Sequence, residues 1–264
     1  MDKTHQDTNS HVQNGWHTFI SAAAGGSGGA YICFPFEGLK KRLQTGQQLS
    51  FQPKELYRGS TAFAVSVTFA TVASMCFNNA LKTIPSYDHE SALWNGVSAV
   101  VSGMLGAVVG STPVENVILV QQLDKTTPIK AIIKMMGQGP TRLWVGLPEL
   151  ACREAGFAGA MLWGVDAARN KVLSKTESKT LAEAAALGVG LVGAAITQPF
   201  DTVATIKQKS DGKLSTSQAV KQIVESKGAT GLFRGLSQRA LLFTGCAYTI
   251  PSIQKLVENW LTQK

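Results

Sequence analysis

Stretches without a single acidic or basic side chain alternate with short polar segments along this chain. Val12–Phe36, Gly59–Leu81 and Ser91–Val114 contain no Asp, Glu, Lys or Arg, and shorter uncharged runs cover Ala184–Phe200 and Ala240–Gln254. About 20 helical residues cross a hydrocarbon core of ~30 Å, so the longer runs have the reach of a membrane span. Leu147–Val165 belongs to the same series although Glu149, Arg153 and Glu154 interrupt it. Charge within a membrane is costly and as a rule faces a water-filled path. The pattern predicts six helical spans, at about 16–47, 59–82, 91–123, 147–169, 181–209 and 236–260. Shorter helices are expected between them. One surrounds Pro53–Leu56, one opens at Thr127–Pro128, where proline suits a first helical position, and one covers 215–226, where Ala219, Val220, Ile223 and Val224 recur at helical spacing.

The apolar runs are marked by a repeat. Pro35, Pro113 and Pro199 are each followed two residues later by an acid, Glu37, Glu115 and Asp201, and later by a glutamine, Gln44, Gln122 and Gln208. A second mark follows each copy: Tyr57-Arg58-Gly59, Trp144-Val145-Gly146 and Phe233-Arg234-Gly235. The period of roughly ninety residues divides the chain into units at 1–88, 89–178 and 179–264, each an apolar segment, a polar loop and a second apolar segment. Glycines cluster ahead of each proline, and small residues let membrane helices pack closely. The prolines each remove a backbone hydrogen bond and are expected to kink their helices, so that three helices form a cup around one axis. The fold expected is an all-α membrane protein built from three similar hairpins.

Composition narrows the function. The 264 residues carry a formal charge of +8, which favours anionic solutes and anionic lipid. The charge forms no single basic stripe, so nucleic acid is not the expected partner. Mean hydropathy of +0.06 would suit a soluble protein, but the average hides the segregation. Cys33, Cys76, Cys152 and Cys246 are scattered without metal or disulfide spacing, and His5, His11, His17 and His89 form no ligand or catalytic set. Gly25–Gly29 lacks the Gly-Lys-Ser/Thr that a phosphate loop needs, so no enzyme, cofactor or metal is expected. Met1–Ser10 is polar and mixed in charge, so no secretory signal is expected there.

Pro35-Phe36-Glu37-Gly38-Leu39-Lys40-Lys41-Arg42-Leu43-Gln44 resembles the signature of the mitochondrial carrier family, and with the two further copies the resemblance extends over essentially the whole chain. It implies six transmembrane helices in three pseudo-threefold repeats, each with a short amphipathic helix on the matrix side, in the inner mitochondrial membrane. It also implies a monomer that binds cardiolipin near the short helices and moves a small charged metabolite by alternating access. A carrier fold that no longer transports and serves as a membrane adaptor or receptor is the alternative.

The resemblance also assigns residues. A matrix gate is expected from Glu37, Lys40, Glu115 and Asp201, braced by Gln44, Gln122 and Gln208. The second basic positions are lost to Ile118 and Val120, and the third to Ala204 and Ile206. Only Asp201 with Lys40 is then expected to pair, leaving Glu37 and Glu115 to seek Lys41, Arg42 or Lys207. Two lost pairs at ~1 kcal/mol each predict a gate weakened roughly thirtyfold. On the opposite face the resemblance points to Asp166 with Arg169, Lys82 and Lys255. Substrate contacts are expected from Ser66, Arg153, Glu154 and Leu242 at matching depths, with Arg239 one turn away. Adjacent Arg153 and Glu154 should face different partners. An Arg–acid pair at this place resembles amino-acid carriers. Nucleotides such as ATP or ADP remain open, although Val120–Lys125 stands where the ADP/ATP carrier has its Arg-Arg-Arg-Met-Met-Met run.

Overall fold

The computed structural model describes residues 3–84, 88 and 91–262, and every regular element among them is helical. The turn expected around 84–88 falls mostly outside them. The elements are α1 (Lys3–Thr45), α2 (Pro53–Leu56), α3 (Ser60–Lys82), α4 (Ala92–Gly106), α5 (Thr112–Asp124), α6 (Pro128–Gly137), α7 (Leu147–Gly159), α8 (Val165–Leu173), α9 (Lys179–Lys209), α10 (Thr216–Lys227) and α11 (Leu236–Thr262). Single π-helical turns, Ala107–Ser111 and Ala160–Gly164, join α4 to α5 and α7 to α8, so each pair forms one long run. The six long runs fall within a few residues of the expected spans. The exception is the start of α1, which extends back to Lys3, because a polar helical turn leaves no trace in an apolar pattern.

Four helix starts have a side-chain cap. Thr127 and Ser215 cap α6 and α10 by accepting from Lys130 N and Gln218 N, and Gln218 returns the bond to complete a capping box. Ser178 and Ser91 do the same for α9 and α4. α1 and α9 run on through Pro35 and Pro199. Pro113 instead sits in the first turn of α5, directly after a π turn that already breaks the α-helical bonding. α11 carries a further internal proline, Pro251.

The helices close a ring. α1 packs on α3, α3 on α4, the α4–α5 run on α7, α7 and α8 on α9, α9 on α11, and α11 returns to α1 in the most extensive contact of all. Small residues set the spacing: a Cβ on Gly103 of α4 would lie 2.5 Å from Glu154 O of α7, and one on Gly29 of α1 would lie 2.5 Å from Ile250 Cγ1 of α11. Polarity is reversed relative to a soluble domain. Lys41, Asp201, Gln198 and Thr205 are almost fully buried, while Leu93, Val109, Val192 and Ile196 are exposed. Apolar exteriors of this extent mark an apolar surround. Among the described residues, two runs are long and apolar enough to cross a membrane, Ala92–Asp124 and Lys179–Lys209, each with only 33% of its most apolar stretch buried.

Candidate functional site

The three repeat-marking glycines position the site. Gly59, Gly146 and Gly235 have φ of 96°, 83° and 87°, a left-handed region that side chains with a Cβ enter at a cost. Each receives a side chain five residues beyond a repeat proline. A Cβ would lie 2.7 Å from Lys40 Cγ at Gly235, 3.2 Å from Ile118 Cγ2 at Gly59 and 3.4 Å from Ala204 Cβ at Gly146. The same contact therefore recurs three times, with a cation at only one of the three places.

At the one complete place the expected pair is present. Lys40 Nζ lies 3.2 Å from Asp201 Oδ2 and 2.8 Å from Glu37 Oε2. Gln44 Nε2 donates to Asp201 Oδ2 at 2.6 Å, and Thr205 Oγ1 donates to Gln44 Oε1 at 3.1 Å. Where the cation is replaced by Ile118 or Ala204, the glutamine one turn later is left wholly or partly unsatisfied, Gln208 keeping a bond from Nε2 to Val145 O at 3.3 Å. Both amide atoms of Gln122 and Oε1 of Gln208 are buried without a hydrogen bond. Gln122 also lines a cleft of about 470 Å³ together with Arg42, Gln52, Glu55 and Lys125.

The acids are nevertheless not stranded, which narrows the choice of partners expected among Lys41, Arg42 and Lys207. Lys41 Nζ, fully buried, lies 3.0 Å from Glu115 Oε2, and Lys40 serves Glu37 from within α1. The larger correction concerns Arg153, which the sequence placed among the substrate contacts. Its guanidinium lies 2.5 Å from Glu115 Oε1 and 2.7 Å from Asp201 Oδ1, and it also contacts Glu154. Adjacent Arg153 and Glu154 thus do meet, because the arginine is long enough to swing across. Arg42 and Lys207, the other proposed partners, go elsewhere, to Glu55 at 2.6 Å and to Glu149 at 2.8 Å. Glu149, noted in the sequence only as a charge within its span, also accepts from Thr216 of α10 and so ties α7 to α9 and α10.

The direction of the side chain explains the displacement of Arg153. The N-terminal end of α7 is the end that packs on Ala204, beside the cluster. Helical side chains lean toward the N-terminus, so Arg153 reaches down toward α5 and α9 from a position that sequence depth alone places higher.

Arg239 of α11 takes a different role. It is 8% exposed, and its hydrogen bonds go to neutral groups, Gln198 Oε1 at 3.3 Å and Thr197 Oγ1 at 2.9 Å. No carboxylate pairs with it among the described residues. Glu154 keeps 20% of its side chain exposed, the most open of the carboxylates in the cluster. Helices α7 and α9 touch beside these groups, where Gly156 meets Thr197. Ser66 of α3 is buried and Leu242 of α11 half-buried, and neither joins the ionic cluster.

At the opposite end of the helices, Arg169 pairs with Asp166 at 2.8 Å on its own helix and with Glu183 of α9 at 2.9 Å. Glu183 was not singled out in the sequence, because nothing in its repeat context marks it. Lys82 at the end of α3 and Lys255 on α11 form no ion pair among the described residues.

Comparison with known proteins adds one family model and three relatives. Residues 178–261 match a family model described as mitochondrial carrier protein. Over 267 aligned residues the chain is 27% identical to the mitochondrial arginine transporter BAC2 of Arabidopsis thaliana, covering 87% of each chain. It is 29% identical over 43% of its length to the mitochondrial glycine transporter B of Danio rerio (42% of that protein), and 30% identical over 47% to the mitochondrial substrate carrier family protein ucpB of Dictyostelium discoideum (45% of that protein).

Proposed function

We propose that this chain is a divergent member of the mitochondrial carrier family and carries an amino acid across the inner mitochondrial membrane by alternating access. The six long helical runs are its spans, in three pseudo-threefold repeats at 1–88, 89–178 and 179–264. The ionic cluster of α1, α5, α7 and α9 is the closed matrix gate. Substrate enters from the other end and binds just above it.

The observation that carries this reading is Arg239, a buried guanidinium with only neutral partners, close above a cluster whose most open carboxylate is Glu154. A buried charge with no carboxylate in contact is expensive. A ligand carboxylate would satisfy Arg239 in the two-point manner guanidinium favours, and an ammonium would find Glu154. An amino acid carries both groups. The role of carboxylate receptor thus passes from Arg153 to its one-turn neighbour in depth, Arg239. A nucleotide would need several such free cations, whereas Lys40, Lys41 and Arg153 are all engaged by carboxylates. The adaptor alternative drew on the depletion of both gates, and on the matrix side the acids are paired. The names of two relatives, an arginine and a glycine transporter, agree with the substrate class.

The test is uptake into proteoliposomes preloaded with a metabolite mixture, offering labelled arginine, glycine, glutamate, ATP and citrate in turn. Saturable uptake of one of the amino acids is expected, reduced at least tenfold by Arg239→Ala and by Glu154→Gln; tenfold corresponds to about 1.4 kcal/mol of lost binding. Uptake of ATP or citrate alone, or amino-acid uptake indifferent to Arg239→Ala, would overturn the proposal.

A further inference from the structure

The repeated glycine contact fixes where three gate cations belong, since the side chains at positions 40, 118 and 204 all lie against equivalent glycines. Lys40 of the first unit pairs with Asp201 of the third. By the same rotation a cation at 118 would serve Glu37 and one at 204 would serve Glu115. Neither exists, and unsatisfied glutamine atoms mark the empty places, both amide atoms of Gln122 and Oε1 of Gln208. Yet the acids these cations would have served are paired, Glu37 by lysines of its own helix and Glu115 by Lys41 and Arg153.

Lys41 extends from α1, which already contributes Lys40 to the cluster. Arg153 alone brings a cation from α7, and its separate guanidinium nitrogens reach α5 through Glu115 and α9 through Asp201. We infer that Arg153 is a gate residue of this chain, replacing the cation absent from position 204 and bridging α5 to α9. The inference rests on the alternating-access reading above. It also makes the gate sensitive to the substrate. Arg153 contacts Glu154 as well, so a ligand ammonium that takes Glu154 removes one of the carboxylates that hold the latch in place. A guanidinium can bridge two carboxylates because its donors form a planar fork; a lysine at the same place offers a point charge.

Gln122 supplies a reporter that does not depend on transport. It is 3% exposed, one turn beyond the cluster, and makes no hydrogen bond through its side-chain amide. With the four native cysteines replaced by serine or alanine, Gln122→Cys would be labelled by a membrane-impermeant maleimide presented on the matrix side of reconstituted protein. Slow labelling is expected with Arg153 present and at least tenfold faster labelling in Arg153→Gln. Adding Ala204→Lys to Arg153→Gln should return the rate toward that of the parent, since a lysine against Gly146 repeats the arrangement of Lys40 against Gly235. Arg153→Lys should label at an intermediate rate, and it serves as the working variant if Arg153→Gln fails to fold by circular dichroism.

An unchanged rate in Arg153→Gln, or in Arg153→Lys where that variant stands in, would overturn the inference. So would a raised rate that Ala204→Lys leaves raised. A residue that only contacted substrate would show neither the acceleration nor the rescue. Labelling requires no substrate, so a protein that moved none of the offered amino acids would sink the functional proposal while leaving this result to be judged separately.

Discussion

Arg153 and Lys41 carry charge a long way from their backbone positions, and the cluster depends on that reach. Spacing from the repeat marks placed Arg153 on the right helix and at the right depth of backbone. It said nothing of the lean of the side chain toward the helix N-terminus, so the pairs with Glu115 and Asp201 were not foreseen. Glu183 went unnoticed and Glu149 was given no partner because neither stands in a repeat motif, and a lone acid in a sequence does not reveal whether a lysine or arginine waits across a helix interface. A surface residue offers a pH test. Glu55 on α2 accepts from Arg42 at 2.6 Å and from Arg58 at 2.8 Å, and the Arg42 bond holds its carboxyl below the ordinary range. A lowered carboxyl stabilises the fold above its unfolded pKa and ceases to do so as pH falls through the folded value. Glu55→Gln should therefore cost about 1 kcal/mol at neutral pH, at the low end for charge-assisted bonds because α2 lies at the surface. The melting temperatures of parent and variant should converge on acidification below about pH 4, near the ordinary glutamate pKa. Parallel curves would mean that Glu55 gains nothing from the two arginines.

At the scale of elements, hydropathy located the long helices well because an uncharged run has only one way to satisfy its backbone when its outer face is apolar. It could not show the π turns at Ala107–Ser111 and Ala160–Gly164, which arise from packing rather than composition. Nor did it separate glycines that a neighbour requires from glycines that none does. Gly103 faces the backbone of α7 at Glu154, where a methyl group has no room, whereas a Cβ at Gly188 of α9 would meet no atom within 4 Å. Gly103→Ala should destabilise the protein by about 1–3 kcal/mol, as overpacking does. Gly188→Ala should be neutral or stabilise it by up to about 1 kcal/mol through reduced freedom of the unfolded chain. Thermal unfolding in detergent separates the two cases, and equal effects would show that α4 can move away from α7.

The whole molecule is a ring of helices with charge inside and apolar side chains outside, and the ring is closed by α1 against α11. Ser21 donates to Glu258 at 3.1 Å, and Gly29 fits under Ile250, so the first and last helices are neighbours as close as any joined by a short loop. The exposed connection at 174–178 holds no regular structure. A chain opened there, with α11 joined to α1 through a flexible linker, should assemble the same cluster. Protection of Gln122→Cys from labelling would report it, and full exposure in a folded permutant would show that chain order matters. Biosynthesis is where the two arrangements would part. In the native order Lys40, Lys41 and Arg153 are all made before Asp201, so the cluster stays open until the third unit is translated. In the permutant Asp201 comes first, and closure waits on Glu115 and Arg153 in the last segment to leave the ribosome.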